Sequence, residues 1–229
     1  MSGQDGTDIG ADAPVLAGGT GARELPATAR GLRTRAALVT AARTVFERDG
    51  FLGSRLSDIT VEAKCSAGTF YTYFSSKEEI FAAVLEAAQD DMLHPGMPRV
   101  ADDDDPAAVI EASNRAYLVA YLRNAKLMAL MQQVATVDPD FEALRRHRSE
   151  KFVERNARHI AELQSRGLAD ETLDPLLTSY ALSGMVSRMA MEALVIGKRD
   201  LDDVVAILTK LWVNALQLSG KSDSRKKRR

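Results

Sequence analysis

The chain has 229 residues, 45% of them hydrophobic, and a formal net charge of −2 at pH 7, which predicts a packed soluble protein. Its single cysteine excludes an internal disulfide and suits a reducing compartment such as the cytoplasm. No apolar run approaches the roughly 20 residues that a transmembrane helix needs, and the N-terminus lacks the layout of a signal peptide. We therefore expect a cytoplasmic protein with no membrane partner.

Charge is unevenly placed along the chain. Residues 30–78 have a net charge of +3, whereas residues 79–220 have a net charge of −7. A basic head on an acidic body predicts contact with DNA at one end of the molecule. Residues 1–29 have a net charge of −3, are rich in Gly, Ala, Asp and Thr, and are predicted to form a disordered arm.

The first three predicted helices form an N-terminal unit. The first helix begins within residues 31–34 and ends before Gly50, and its apolar face is expected to pack in the core. The second covers residues 56–63. A third covers residues 67–73 behind Ser66, a natural N-cap. Two helices joined by so tight a turn form a helix-turn-helix, whose second helix enters the DNA major groove.

The remaining helices are predicted from capping signals and apolar periods. A fourth helix opens with a capping box at residues 76–79. The pattern breaks over residues 96–106, where four consecutive aspartates indicate a solvated acidic loop, because a calcium-binding loop would need spaced ligands. Five helices follow, over residues 108–124, 125–137, 139–166, 175–196 and 200–218. With about nine helices and no β-hairpin signal, the predicted fold class is all-α.

One ordered set of residues resembles a known family. It comprises Gly50-Phe51, Ile59-Thr60-Val61-Glu62-Ala63 and Ser66-Ala67-Gly68-Thr69-Phe70-Tyr71-Thr72-Tyr73-Phe74-Ser75-Ser76-Lys77-Glu78-Glu79-Ile80-Phe81. This set resembles the DNA-binding domain of the tetracycline-repressor (TetR) family over residues 33–85. Lys64 departs from the pattern, because the family usually has glycine at this turn, where a positive φ would strain a lysine.

The resemblance implies a division of the chain into four parts. A disordered arm (1–29) precedes a helix-turn-helix DNA-binding domain (30–78), and a helical effector-binding and dimerisation domain (79–220) precedes a basic tail (221–229). Members of the family form homodimers through their last two helices, which here are apolar on more than one face. A central core made by these two helices is the alternative. The tail adds either sequence-independent affinity for DNA or a solubilising end.

The same resemblance implies which residues contact an operator. They are Arg55, Ser66, Ala67, Gly68, Thr69, Tyr71, Thr72, Tyr73 and Lys77. Thr69 is the first candidate for a base contact, through its hydroxyl or methyl group, and Gly68 lets the helix approach closely. The phosphate contacts are assigned to Arg55, Ser66, Tyr71, Tyr73 and Lys77. Core packing is the alternative for the two tyrosines.

A second set of candidates lies in the middle helices and the penultimate helix. It comprises Tyr117, Tyr121, Met128, Met131, Phe152, Met185, Arg188 and Met189. The family is known for a ligand cavity in this domain, and flexible methionines with aromatics suit a hydrophobic or amphipathic effector. Plain core packing is the alternative for each of them. Arg188 pairs either with an anionic group of the effector or with an ordinary carboxylate.

The sequence lacks motifs for catalysis. It contains no Gly-rich phosphate loop and no Gly-x-Ser-x-Gly, and its one metal-like pair, Asp90 with His94, is more typical of an exposed helix contact. We therefore expect no enzymatic activity, no metal and no cofactor. The predicted function is that of a DNA-binding transcriptional regulator, a repressor released from its operator by a small-molecule effector. The alternative is a small-molecule-binding helical protein that does not use DNA binding.

Overall fold

The computed structural model describes residues 26–95 and 105–218, and these residues form nine α-helices and one π-helical segment without any strand. The helices are α1 (Ala29–Gly53), α2 (Leu56–Glu62), α3 (Ala67–Tyr73), α4 (Lys77–Leu93), α5 (Pro106–Arg123), α6 (Ala125–Ala135), α7 (Pro139–Ser165), α8 (Pro175–Met189), the π segment (Ala190–Ile196) and α9 (Leu201–Ala215). The predicted all-α fold is confirmed. Most of the predicted arm, most of the acidic loop and the basic tail lie outside the described residues.

The starts of α3 and α4 follow the capping signals of the sequence. The Ser66 hydroxyl accepts a hydrogen bond from the Thr69 amide, and the Ser76 hydroxyl accepts one from the Glu79 amide, both at 3.1 Å. The Glu79 carboxylate departs from the predicted capping box. It accepts hydrogen bonds from the amide and the hydroxyl of Ser75, both at 2.6 Å, so it fixes the chain one residue earlier than a capping box would.

Gly50 breaks α1, and the chain resumes one helical turn directly after it. With φ 74° and ψ 169°, the Gly50 backbone lies in a region that residues with side chains rarely adopt. The Ser54 hydroxyl closes the following turn by donating to the Phe51 carbonyl at 2.8 Å. The break directs Phe51 into the core, where its side chain is buried.

Four phenylalanines join the head, which comprises α1 and the helix-turn-helix of α2 and α3, to the helices of the body. Phe46 of α1 meets Phe81 of α4 edge-on at 4.9 Å between ring centroids, and Phe81 lies 5.4 Å from Phe141 of α7. Phe51 lies 4.7 Å from Phe81. All four rings belong to one continuous hydrophobic cluster. The head and the body therefore share a core, and the domain boundary predicted at residue 78 falls in the first turn of α4.

A polar network at the junction of α5 and α6 makes a second link between head and body. The Arg43 guanidinium of α1 donates to the Asn124 side-chain oxygen and to the Arg123 carbonyl, both at 2.9 Å. Asn124 is fully buried and donates to the Asp91 carboxylate of α4 at 2.8 Å. The hydrogen bond from Arg123, supported by the one from Asn124, holds the pKa of the Asp91 carboxyl below its usual range.

The turn between α2 and α3 keeps a geometry that favours glycine, although Lys64 occupies it. Lys64 has φ 53°. Its amide donates to the Val61 carbonyl and the Cys65 amide donates to the Thr60 carbonyl, both at 3.0 Å, which is the Schellman pattern of a helix C-terminus. The departure from the family pattern therefore has not reshaped the turn. A left-handed backbone costs a residue with a side chain about 1–2 kcal/mol.

We expect Lys64→Gly to raise the free energy of unfolding by about 0.5–1 kcal/mol, because the relief of strain exceeds the entropy that glycine adds to the unfolded chain. Urea unfolding followed by circular dichroism measures this change. Lys151→Gly, at an exposed position within α7, is the matched control and should lower the stability by about 1 kcal/mol. A loss of stability at both positions would contradict the strain assigned to Lys64.

Candidate nucleic-acid interface and interior cavity

Helix α3 has a buried face and an exposed face. Phe70 and Phe74 point into the core and are 1% and 0% exposed. The opposite face is exposed and consists of Ala67, Gly68, Tyr71 and Thr72. Two buried aromatic rings thus fix the helix in place while small and hydroxyl-bearing residues face outward.

The N-terminal end of α3 carries paired hydroxyl groups. The Ser66 Oγ and Thr69 Oγ1 atoms lie 3.0 Å apart. Thr72 turns its hydroxyl back to the Gly68 carbonyl at 3.0 Å. A Cβ added at Gly68 would meet only Ser66 Oγ, at 3.7 Å, so the packing of the chain does not itself require glycine here. The open space lets a large partner approach the helix backbone.

The other predicted contacts around α3 differ in exposure. Tyr71 is 49% exposed, and its ring meets the Phe70 ring edge-on at 5.5 Å. Tyr73 is half-buried and packs against the hydrophobic core, so it has the core contact that was the alternative to a phosphate contact. Arg55 is exposed at the N-cap of α2, where its amide donates to the Asp58 carboxylate at 3.2 Å.

Lys77 points inward. Its ammonium donates to the Phe51 carbonyl at 2.9 Å and to the Ser54 carbonyl at 3.3 Å, and it lies 4.6 Å from the centre of the Phe51 ring. The ammonium thus adds a second hydrogen bond to the Phe51 carbonyl, which already accepts one from the Ser54 hydroxyl, and supplies a donor to the Ser54 carbonyl at the broken end of α1. The structure therefore gives Lys77 a role in holding the turn before α2, in place of the phosphate contact expected from the sequence.

The interior cavity, of about 490 Å³, lies among the helices of the body and opens to solvent where its wall includes the exposed residues Tyr180 and Arg188. Tyr117 meets Phe152 edge-on at 5.5 Å and lies 6.0 Å from Tyr121. Burial raises the pKa of Tyr117 to about 12, so its phenol is neutral at physiological pH and remains a hydrogen-bond donor. Six of the eight predicted effector residues line the cavity: Tyr117, Tyr121, Met128, Met131, Phe152 and Arg188.

Met185 and Met189 do not line this cavity, which corrects the prediction. They lie four residues apart on one face of α8 and pack against the hydrophobic core. The face of α8 that meets the cavity carries Tyr180, Gly184 and Ser187. A helix that is apolar on several faces offers no sequence signal to distinguish the face that meets a cavity from the face that meets the core.

The polar residues of the cavity wall differ from those predicted. The Arg188 side chain is 78% exposed and pairs with Glu192 at 3.0 Å, which is the ordinary carboxylate partner given as one alternative. Sequence reasoning missed Gln89, Arg148 and Trp212, which line the cavity and are 7%, 5% and 7% exposed. One signal was present for Arg148. It lies on α7 seven residues after the buried Phe141, at a spacing that places both on one helix face.

The π segment that follows α8 also contributes to the wall. Met191 and Glu192 of this segment line the cavity. The segment ends where the Gly197 amide donates to the Glu192 carbonyl at 2.9 Å, five residues back along the chain. The sequence predicts one continuous helix here, because no propensity distinguishes a π turn from an α turn. Such wider turns are frequent at functional sites.

The last two helices leave apolar side chains exposed. Leu177 of α8 is 70% exposed and Tyr180, which also lines the cavity, is 47% exposed, and Ile207 and Leu211 of α9 are 44% and 41% exposed. A spacing of three or four residues places each pair on one helix face. Leu208, in contrast, is fully buried in the core of the chain itself. These outward faces are apolar surface that the described part of the chain does not cover.

Asp90 and His94 are exposed side chains that lie 3.8 Å apart across one turn of α4. Nowhere in residues 26–95 or 105–218 do three His, Cys, Asp or Glu side chains come together as a metal site would require. Within the same ranges, every helix is either too short or too polar to cross a membrane.

Two family models match the chain. The model of bacterial regulatory proteins of the tetR family matches residues 38–84, from α1 to α4. The model of the C-terminal domain of the transcriptional regulator EthR matches residues 110–217, from α5 to the end of α9. The first range contains the helix-turn-helix, and the second contains most of the cavity wall.

Individual proteins show the same pattern of similarity. The chain is 24% identical over 189 residues to the HTH-type transcriptional regulator EthR of Mycolicibacterium smegmatis, and this match covers 79% of the chain and 85% of that protein. It is 44% identical over 54 residues to the HTH-type transcriptional repressor NicS of Pseudomonas putida, but it spans only 26% of the length of NicS and 24% of its own.

A solved structure also shares the fold. The structure of Salmonella enterica GusR matches with a TM-score of 0.69 at 16% identity, over 81% of this chain and 96% of that one. At such low identity the likeness concerns the fold alone. The helix-turn-helix, the matching models of head and body, and this shared architecture agree: the chain belongs to the TetR family of bacterial regulatory proteins.

Proposed function

We propose that the chain is a sequence-specific DNA-binding transcriptional regulator, a homodimeric repressor released from its operator by a small molecule in the interior cavity. The exposed face of α3 is the observation that carries this proposal. Its small and hydroxyl-bearing side chains surround a glycine that internal packing does not require. A helix-turn-helix presents this helix to the major groove. Because the DNA of a bacterium lies in the cytoplasm, we place the protein there.

Beside this exposed face lies Thr69, which is half-buried; we assign base reading to it and positioning to its neighbours. The Thr69 methyl group can contact the methyl group of thymine, and its hydroxyl can contact a base edge. Tyr71 and Arg55 are exposed and carry donors suited to phosphates, which position a helix without reading sequence. Lys77 acts indirectly, because it holds the turn that precedes Arg55.

The outward faces of α8 and α9 support a homodimer formed by these helices. Helix α8 packs on α7 and α9 packs on α5, so each is covered on one side by its own chain. The exposed leucines, isoleucine and tyrosine on the other side suit a second copy of the same surface. Two helix-turn-helix heads related by a two-fold axis would read a palindromic operator.

Helix α4 supports the coupling of the cavity to the head. It begins at Lys77, directly after α3, and its last turns supply Gln89 and Met92 to the cavity wall. Phe81, between these two ends, packs on both α1 and α7. A ligand that binds better to one position of α4 therefore changes the affinity for DNA, and DNA changes the affinity for the ligand by the same factor.

We expect Thr69→Ala to weaken operator binding by about 1–3 kcal/mol, with little effect on random DNA, because bases differ along a duplex whereas phosphates do not. The operator is first identified by selecting and sequencing bound fragments of the source genome. Fluorescence anisotropy on operator and random duplex at several salt concentrations then measures both affinities. Equal weakening on the two DNAs would contradict base reading by Thr69.

Two charge variants serve as contrasts in the same assay. Arg55→Met should weaken binding to both operator and random DNA. It should also reduce the slope of log affinity against log salt concentration by about one ion per subunit. Lys77→Met should lower the stability of the protein but leave the salt dependence of DNA binding unchanged, because the Lys77 ammonium is bound to backbone carbonyls. If the wild-type chain binds no fragment in a salt-dependent manner, the alternative of a small-molecule-binding protein without DNA binding is favoured.

We expect Leu211→Glu to convert the dimer to monomers, because it places a charge on an apolar face that the partner would cover. Sedimentation velocity measures the change. Leu122→Glu on α5 is the matched control, since Leu122 is 40% exposed and Leu211 is 41% exposed. Leu208 is unsuitable for this test, because it is buried in the core of the chain. Dimers that persist in Leu211→Glu would place the interface elsewhere.

We expect Met131→Trp to reduce binding of the neutral fluorescent probe N-phenylnaphthylamine, because the larger side chain fills part of the cavity. Met189→Trp is the control, since Met189 packs against the core and does not line the cavity. Probe fluorescence measures binding, and operator affinity without ligand should change little in the Met131 variant. Equal effects of the two variants would indicate that Met131 is an ordinary core residue.

A further inference from the structure

Three buried side-chain polar atoms of the described residues have no hydrogen-bond partner, and all three belong to the wall of the interior cavity. They are Gln89 Nε2, Arg148 Nη2 and Trp212 Nε1. Each of the three atoms is a donor. Buried donors normally have acceptors, so their concentration in one cavity indicates an occupant that supplies oxygen atoms.

Of the three residues, Arg148 most needs an additional partner, because its side chain is charged. It is 5% exposed, its Nε donates to Gln89 Oε1 at 2.6 Å, and its Nη1 faces the Met131 sulfur at 3.5 Å. No carboxylate of residues 26–95 or 105–218 forms an ion pair with it. Burial lowers the pKa of Arg148 to about 10, against a smaller opposing effect of the Glu86 carboxylate, which leaves the guanidinium charged at physiological pH. A buried charge that lacks a carboxylate at ion-pair distance destabilises the fold, since Glu86 acts on Arg148 only from farther away, and a water molecule would supply an acceptor but no charge.

Most of the remaining charges of the wall are also positive. Arg145 and Arg155 also line the cavity, and Arg155 donates to the Leu93 carbonyl at 2.8 Å. Glu192, the one acidic residue of the wall, already pairs with Arg188. The cavity is therefore electropositive, with aromatic side chains and methionines providing its apolar surface.

We propose that the cavity binds an amphipathic carboxylic acid whose carboxylate is held by Arg148 and Gln89. The hydrogen bond between these two side chains holds their free donors, Nη2 and Nε2, on adjacent groups. A carboxylate accepts two such donors side by side and neutralises the guanidinium. The apolar part of the ligand packs against Tyr117 and Phe152, and Trp212 donates to a further oxygen where the ligand has one.

This inference rests on the proposed function only for the biological role of the cavity, since ligand binding is measured without DNA. Isothermal titration calorimetry of the full chain compares two matched pairs of probes below their micelle concentrations. The pairs are decanoate with decanol and naphthoate with naphthalenemethanol. At least one acid should bind between about tenfold and a hundredfold more tightly than its alcohol.

Arg148→Met should abolish the preference for the acid while leaving the affinity for the alcohol within about twofold. Arg188→Met is the control, because Arg188 also lines the cavity but is exposed and paired with Glu192, and it should keep the preference. The ligand-free Arg148→Met variant should melt at the same or a higher temperature than the wild type, because a buried charge is replaced by an apolar side chain. An arginine with a purely structural role would give a lower melting temperature.

Several results would overturn the proposal. Acid and alcohol of equal affinity in the wild type, or no binding by either pair, would exclude the carboxylate site whatever the variants do. If Arg148→Met does not fold, Arg148→Lys should retain the preference for the acid, and its loss there would contradict the proposal. A chain that binds the acids but no genomic DNA would support the carboxylate site and refute the proposed regulatory function, so the two failures are distinct.

Discussion

The packing of four phenylalanine rings, Phe46, Phe51, Phe81 and Phe141, is the constraint on which the rest of the structure depends. Because the rings lie in one cluster with members from head and body, α4 cannot shift against α7 without disturbing α1. Lys77 strengthens the constraint, because its ammonium holds the turn that carries Phe51. In the proposed regulation, a change at the cavity would therefore move the head as part of a packed unit.

Apolar packing sets how close the head lies to the body, whereas the polar network at Asn124 sets their relative orientation. Hydrogen bonds are directional, and Asn124 uses its oxygen toward Arg43 in the head and its nitrogen toward Asp91 in the body. Because Asn124 is fully buried, a small rotation would leave polar groups without partners. The network is thus either formed or broken, which favours a few discrete orientations of the head over a continuous range.

Local patterns in the sequence predicted local structure. They could not predict the contacts of side chains whose partners are distant in the sequence. Ser66 as an N-cap and the extent of α3 over residues 67–73 could be predicted because both depend on neighbours within one helical turn. Lys77 and Arg148 could not be placed in this way. Their partners lie 26 and 59 residues away, and the pattern of one helix does not encode what the facing helix offers. The individual DNA and effector contacts remain predictions for the same reason.

Stability alone would place an apolar residue at position 148, since Phe141 and Phe152 share that side of α7 and are apolar. The arginine found there instead bonds to Gln89 of α4, so it joins the same two helices, α4 and α7, that the contact of Phe81 with Phe141 ties together. A charge at this place weakens the protein where the head is attached to the body. In the proposed carboxylate site, an anion that neutralises Arg148 would strengthen that same attachment, since ligand binding stabilises the arrangement that it prefers. On this proposal, the least satisfied part of the core is also the part through which a ligand would act most directly on α4 and on α3, which precedes it.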